Sequence, residues 1–279
     1  MQIIRYELPR KDIIINCLSD THIGSILCAE DKLRETIERI KDQNELWVHL
    51  GDWVNAIKTN DKRYYHGIER LLPMQQADEA IKWFAPIAKQ GIVGLQGNHE
   101  RALHRYGDVA QYICNALGIS YGTFTAVVIF TYNKKICFKM FLHHSIFQFR
   151  SNAKDPEQMD ANIKASLKMR LKNKMGDCAV MLCANAHLLK TVKPVRILYI
   201  SEKDNLLKQH YTNLQKVDYS AEYIHPDLRW YGCTGSFERL YGIGISGYAE
   251  YAGFDPREIG YLRLHIQDCE PVLLEEVII

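Results

Sequence analysis

Three short apolar runs in the first half of the chain each end in a polar cluster, and amphipathic stretches separate them. Ile13 to Leu18, Leu46 to Leu50 and Ile92 to Leu95 are too short for helices and read as buried strands. Glu30 to Asp42 places Leu33, Ile37 and Ile40 at helical spacing with charges on the opposite face. Gln75 to Lys89 and Val109 to Leu117 read as two more helices, the second stopped by Gly118. Strands alternating with helices in this way predict a layered α/β fold rather than a helical bundle or an all-β sandwich.

Beyond residue 120 the pattern changes. Thr125 to Thr131 and Lys135 to Leu142 are β-branched and aromatic runs joined by Tyr132, Asn133 and Lys134, which predicts a hairpin and some antiparallel pairing. A Lys- and Arg-rich helix is expected from Pro156 to Lys174, with Ile163, Leu167 and Leu171 on one stripe, then a strand from Ala179 to Cys183. Strand-like runs follow at Val192 to Ile200, Gln209 to Val217, Ile259 to Ile266 and Val272 to Ile278. No repeat or linker divides the 279 residues, so one domain over 1–279 is expected, with 188–279 completing a second sheet.

Composition excludes more than it selects. An apolar fraction of 47% and a charged fraction of 24% belong to an ordinary globular chain, and a net charge of +2 neither demands nor forbids a nucleic-acid partner. Met1 to Arg10 alternates apolar with polar residues and does not read as a secretory signal; no run of about 18 apolar residues could span a membrane. The eight cysteines are scattered without a Cys-x-x-Cys pair and read as reduced thiols. A cytoplasmic protein with no membrane partner is expected.

The chemistry sits where the strands end. Ser19, Asp20, Thr21 and His22 follow the first strand, Gly51 and Asp52 the second, and Gly97, Asn98, His99 and Glu100 the third. Loops at the carboxyl ends of strands in open α/β sheets converge on one crevice. Asp20 and His22 flank one residue, so on an extended loop both would point the same way and grip one ion. Carboxylate with imidazole suits Mn, Fe, Zn, Ni or Co. His143, His144 and His187 close later strands, and together these residues supply ligands for two ions with Asp52 as a bridge.

Five motifs stand in order: Asp20-Thr21-His22, Gly51-Asp52-Trp53-Val54-Asn55, Gly97-Asn98-His99-Glu100, His143-His144-Ser145 and Ala184-Asn185-Ala186-His187. In that order and spacing the chain resembles the calcineurin-like metallophosphoesterases. The resemblance, which spans residues 20–187, implies a four-layer α/β/β/α sandwich and a metal-dependent phosphoric ester hydrolase. It also implies in-line attack on a phosphoester by a hydroxide bridging two divalent ions. Asp20, His22 and His187 would bind the first ion, Asp52 would bridge, and Asn98 with His144 would bind the second. His144 is preferred to His143 because Ser145 follows it, at a position where the family usually has Gly. His99 would protonate the leaving oxygen, Glu100 would orient His99, and Asn55 would support Asp52.

One departure concerns Asn185, which replaces a histidine that the family uses at the second ion. A neutral oxygen there is harder and weaker than imidazole, which favours Mn, with Mg also compatible, and weakens the second site. The basic helix favours a phosphodiesterase or nuclease acting on nucleic acid or a nucleotide. The alternatives are a phosphomonoesterase, and a metal-binding module that has lost turnover. Arg101, Arg105 and Arg150 lie close enough behind motifs to reach a phosphate. Phe237, Tyr241, Tyr248 and Tyr251, in a turn-rich segment beside the site, are expected mainly to pack. His49, His66, His104, His210, His225 and His265 read as ordinary core or surface residues.

Overall fold

A computed structural model describes every residue except 59, 62–63, 65–70, 213–216 and 246–247. His66 therefore lies outside the described residues, as does part of the expected strand from Gln209 to Val217. The first half contains β1 (Gln2–Glu7), β2 (Ile13–Leu18), α1 (Glu30–Asp42), β3 (Leu46–His49), α2 (Pro73–Phe84), β4 (Gly91–Gly94), α3 (Asn98–Ala102), α4 (Val109–Leu117) and β5 (Ser120–Tyr121). Next come β6 (Thr125–Tyr132), β7 (Lys135–His144), α5 (Pro156–Leu171), β8 (Val180–Ala184) and β9 (Leu189–Val192). The chain continues through β10 (Leu198–Lys203), β11 (Leu206–Tyr211), β12 (Trp230–Thr234), α6 (Tyr248–Tyr251), β13 (Gly260–Gln267) and β14 (Glu270–Ile278).

Two six-stranded sheets form the interior, one in the order β14-β13-β2-β3-β4-β5 and the other β1-β6-β7-β8-β12-β9. Strand alternation explains why they face each other. In β6, Ala126, Val128 and Phe130 enter the layer between the sheets, whereas Val127 and Ile129 face outward. β8 repeats the pattern, with Val180, Leu182 and Ala184 inside and Met181 and Cys183 outside. Ile15, Cys17, Leu46, Val48 and Leu95 meet them from the first sheet. Helices α1, α2 and α4 cover the outer face of that sheet through Leu33, Ile37, Ala77, Phe84 and Ile113. Leu167 and Leu171 of α5 cover the other. Burial on both faces is why β2, β3 and β8 read as largely apolar runs, interrupted by Asn16 in β2 and His49 in β3. The result is the four-layer α/β/β/α sandwich.

Several expectations change in detail. The helix from Gln75 to Lys89 stops as α-helix at Phe84 and continues to Gln90 as a 3-10 turn, because Pro86 cannot donate to the helical ladder. Residues 188–279 do not complete the second sheet alone. They give β9 and β12 to one sheet and β13 and β14 to the other, and β10 pairs with β11 as a separate hairpin. The run from Val192 to Ile200 is accordingly split between two strands, with Pro194 between them. Among the described residues no helix is long and apolar enough to cross a membrane. None of the eight cysteines forms a disulfide, and all but Cys269 are buried.

Phe130 and Phe138 stack in the layer between the sheets with ring centroids 4.6 Å apart, both fully buried. Replacing Phe138 with alanine should lower the unfolding free energy by about 3–5 kcal/mol, as read from urea denaturation. A loss well below that would mean that the sheets close over the cavity.

Candidate metal centre

The loop after β2 lies against the loop after β3. Asp20 N donates to Gly51 O (2.9 Å), His22 N to Asp52 O (3.2 Å) and Ile23 N to Trp53 O (2.9 Å). Unlike the extended loop expected from the sequence, this one is sharply bent: Asp20 and His22 have φ of 49° and 44°, and Asp52 has 53°. Asn185 and His187, in the loop after β8, have φ of 78° and 47°. Left-handed backbone is unfavourable for these residue types, least so for Asp and Asn, and such strain gathers at functional sites. It bends the chain so that side chains from four loops reach one centre.

Glycine makes room for that approach. A Cβ at Gly97 would lie 2.0 Å from Asp52 Oδ1 and 2.2 Å from Asp52 N, so only glycine lets the loop after β4 close on Asp52. Glu100, fully buried, then ties the two loops together. Its carboxylate accepts from Asp52 N (3.1 Å), Gly97 N (2.7 Å) and Val54 N (3.0 Å). The expectation that Glu100 orients His99 is thus corrected: the three hydrogen bonds that its carboxylate accepts come from main-chain N–H groups and none from the His99 ring. His99 is held instead by a hydrogen bond between its Nδ1 and the carbonyl of Asn55, so Asn55 supports His99 through its main chain. Burial and the neighbouring Asp52 push the Glu100 carboxyl up to about 8.

Among the described residues, three overlapping groups of donors lie close enough to share an ion: Asp20, His22 and His187; His22, Asp52 and His99; and Asp20, Asp52 and His144. His22 Nε2 is 3.2 Å from His187 Nε2, and His187 Nε2 is 3.4 Å from Asp20 Oδ1. On the other side, His144 Nε2 is 3.4 Å from Asp52 Oδ2 and 3.0 Å from Asn98 Oδ1. The Nδ1 of His144 hydrogen-bonds Leu50 O at 2.7 Å, which leaves Nε2 as the nitrogen facing the centre. His143 points away, its ring 5.4 Å from that of Phe147, so the structure brings His144 and not His143 to the cluster. Asn185 contributes a main-chain N–H to Asp20 Oδ2 (3.2 Å).

These residues fit divalent ions. Asp20 Oδ1 and Asp52 Oδ2 are buried and accept no well-formed hydrogen bond, an arrangement that is unfavourable unless a cation completes it. The local charges agree. Burial opposes protonation of His144 and His187, but Asp52 beside the first and Asp20 beside the second push both up to about 9. Burial, reinforced by His99 and His187, holds His22 well below the ordinary imidazole range. Burial also opposes the charge on Asp52, yet His144 and His99 hold its carboxyl well below the usual value.

Residues 14–174 match the model of a family described as calcineurin-like phosphoesterase. The chain belongs to that family. As a calcineurin-like phosphoesterase it is a metal-dependent phosphoester hydrolase, and the Asp and His cluster is where the family's divalent ions would bind. No curated protein matches the chain. Among solved structures it is similar to Yfce, a phosphoesterase from E. coli, at 16% identity over 96% of this chain and 100% of that one, with a TM-score of 0.40. A predicted phosphoesterase from Streptococcus pneumoniae shares 12% identity over 97% of this chain and 99% of that one, with a TM-score of 0.36. At such scores neither likeness adds to the family match.

The sequence missed Glu238. Its Oε2 lies 3.8 Å from both His22 Nε2 and His187 Nδ1, although only the turn-rich composition around it pointed toward the site. Other expected residues are placed elsewhere. Phe237 is buried and stacks on Tyr261, whereas Tyr251 is exposed; the side chain of Tyr248 lies outside the described residues. Arg101 lies over the Phe124 ring, and Arg105 and Arg150 are exposed. Much of the basic helix is neutralised, Lys164 by Asp160 and Lys168 by Asp227. His49 is a core residue, stacked 3.6 Å from Trp53.

Two results should follow. Glu100→Gln would turn an amide NH₂ toward main-chain donors and should lower stability by about 1–3 kcal/mol in chemical denaturation. An unchanged midpoint would remove Glu100 as the fastener. Second, the raised imidazoles of His144 and His187 stabilise the metal-free fold fully below about pH 6.5, and that contribution fades as pH rises through about 9. Ion binding must displace their protons, so affinity should rise between pH 7 and 9. Calorimetry in two buffers of different ionisation enthalpy would read the released protons, and identical heats would contradict the assignment.

Proposed function

We propose that this calcineurin-like phosphoesterase is a dinuclear phosphodiesterase that cleaves nucleic acid or a nucleotide in the cytoplasm. The dinuclear reading is carried by Asp52, whose unpartnered Oδ2 stands between the Asp20–His22–His187 group and His144 with Asn98. His22 Nε2 is 4.0 Å and His144 Nε2 3.4 Å from that one oxygen, a separation suited to a bridging carboxylate. In this reading Asp20, His22 and His187 hold the first ion, and Asn98 and His144 hold the second beside Asp52. The ions, when bound, supply Lewis acidity and a clamp on the non-bridging phosphoryl oxygens.

The chain's own residues do the rest. Asn55 O holds the Nδ1 proton of His99 and so orients the ring, which as the imidazolium could give its Nε2 proton to the leaving oxygen and return to the neutral Nδ1–H form. In the metal-free chain the His144 Nε2 proton bonds Asn98 Oδ1, which brings together the two atoms that would ligate the second ion once that proton leaves. Manganese is favoured because Asn98 offers a neutral oxygen at the second position, beside the His144 imidazole. A diester of nucleic acid is favoured by the basic end of α5, where Arg170 and Lys174 lie 5.2 Å and 6.0 Å from the centroid of the partly buried Phe147 ring.

Elemental analysis of chain purified without added ions, paired with hydrolysis of bis-p-nitrophenyl phosphate and p-nitrophenyl phosphate, tests the reading. One ion rising to two on addition of Mn, with the diester preferred, is the expected result. Preference for the monoester would make the protein a phosphomonoesterase. Absence of both metal and turnover would leave a binding module.

Asp52→Ala should abolish turnover and ion pairing together, whereas His99→Ala should lower kcat about 10²–10⁴-fold with both ions retained. Unimpaired turnover in His99→Ala would remove the acid role. Asn185→His should tighten the weaker Mn site, and unaltered Mn binding would place residue 185 outside it.

A further inference from the structure

The turn after β12 brings a third carboxylate to the first metal position. Glu238 is anchored on three sides. Its main-chain N donates to Ser236 Oγ (2.9 Å), its strand bridge to Cys28 fixes the direction of the turn, and its Oε1 accepts from the buried Ser25 Oγ (3.2 Å). The other oxygen, Oε2, is left facing two imidazoles, 3.8 Å from His187 Nδ1 and 3.8 Å from His22 Nε2. The Nε2 of His187 already faces Asp20 Oδ1 and His22, so its Nδ1 is the nitrogen turned away from the ion and toward Glu238.

An imidazole that ligates through one nitrogen usually gives the proton on its other nitrogen to a carboxylate, which fixes the tautomer and strengthens the donor. We infer that Glu238 is a positioning residue for the first metal ion, drawing in from 3.8 Å to accept the Nδ1 proton of His187 so that its Nε2 lone pair faces the ion. The inference rests on the metal-dependent reading above. It also gives the two ion positions different strengths. The first gains a carboxylate behind His187, whereas the second has neutral Asn98 and lacks a histidine at position 185. Ser25 belongs to the loop that carries Asp20 and His22, so the Ser25–Glu238 bond fastens the loops on which the first ion depends.

The test is Mn(II) titration of the metal-stripped full chain, followed by electron paramagnetic resonance and calorimetry, in the wild type, Glu238→Gln and Glu238→Ala. The wild type should show a tighter and a weaker site. Glu238→Ala should weaken the tighter one about 10- to 100-fold and leave the weaker one in place. Glu238→Gln, which can still accept the Nδ1 proton without the charge, should fall between them. Thermal melting of the metal-free proteins separates positioning from structural support, because the expected loss of affinity comes without a matching loss of folded protein. Unchanged affinity in Glu238→Ala beside a two-site wild type would overturn this inference alone. Equal loss at both sites together with a lower melting temperature would do the same. A wild type that takes up no ion would overturn the metal-dependent reading itself, and this inference with it.

Discussion

The buried carboxylate of Glu100 is the contact from which the geometry of the centre follows. Its two oxygens collect three main-chain N–H groups from two loops, and those loops carry Asp52, Asn98 and His99. Asp52 can then accept from His99 N through Oδ1 (2.9 Å) while its other oxygen stays open. Gly97 is the complementary condition, since any side chain there would displace Asp52. An acidic residue in this position looks catalytic in a motif, but its physical task is to hold the backbone of two strand ends together.

The layers supply what the loops cannot. Parallel pairing of β2, β3 and β4 brings three carboxyl ends to one edge of the first sheet, and β7 and β8 bring two to the same edge of the second. Apolar residues between the sheets fix the distance across which Asp52 and His144 meet. The left-handed residues Asp20, His22, Asp52, Asn185 and His187 are unfavourable locally and persist because hydrogen-bonded loops and packed strands hold them.

Much of this was readable in the chain. Short apolar runs ending in Asp, Asn or His marked both strands and cluster, since a strand buried on both faces is mostly apolar and a polar residue within it, such as Asn16 bonded to Glu45, must be satisfied by hydrogen bonds. β12 escaped notice because Gly232 interrupts it, although between two sheets a small residue is what the Leu262 and Leu182 side chains require. β1, an edge strand with alternating exposure, carried no apolar run to see. The split of residues 188–279 between both sheets depends on long-range pairing that local pattern does not encode. Glu238 was hidden for a similar reason: its partners, Ser25, His22 and His187, are distant in sequence and meet only when β12 is placed beside β8.

Because Asp20, His22, Asp52 and Asn98 stand on the first sheet and His144 and His187 on the second, any ion held among them is also a crosslink between the two halves of the sandwich. Binding to the closed arrangement alone stabilises it by mass action, about 2.7 kcal/mol when the free ion is at 100 times its Kd. The same residues that would do chemistry would therefore also serve, with ions bound, as a clasp between the two sheets, added to the apolar packing that joins them.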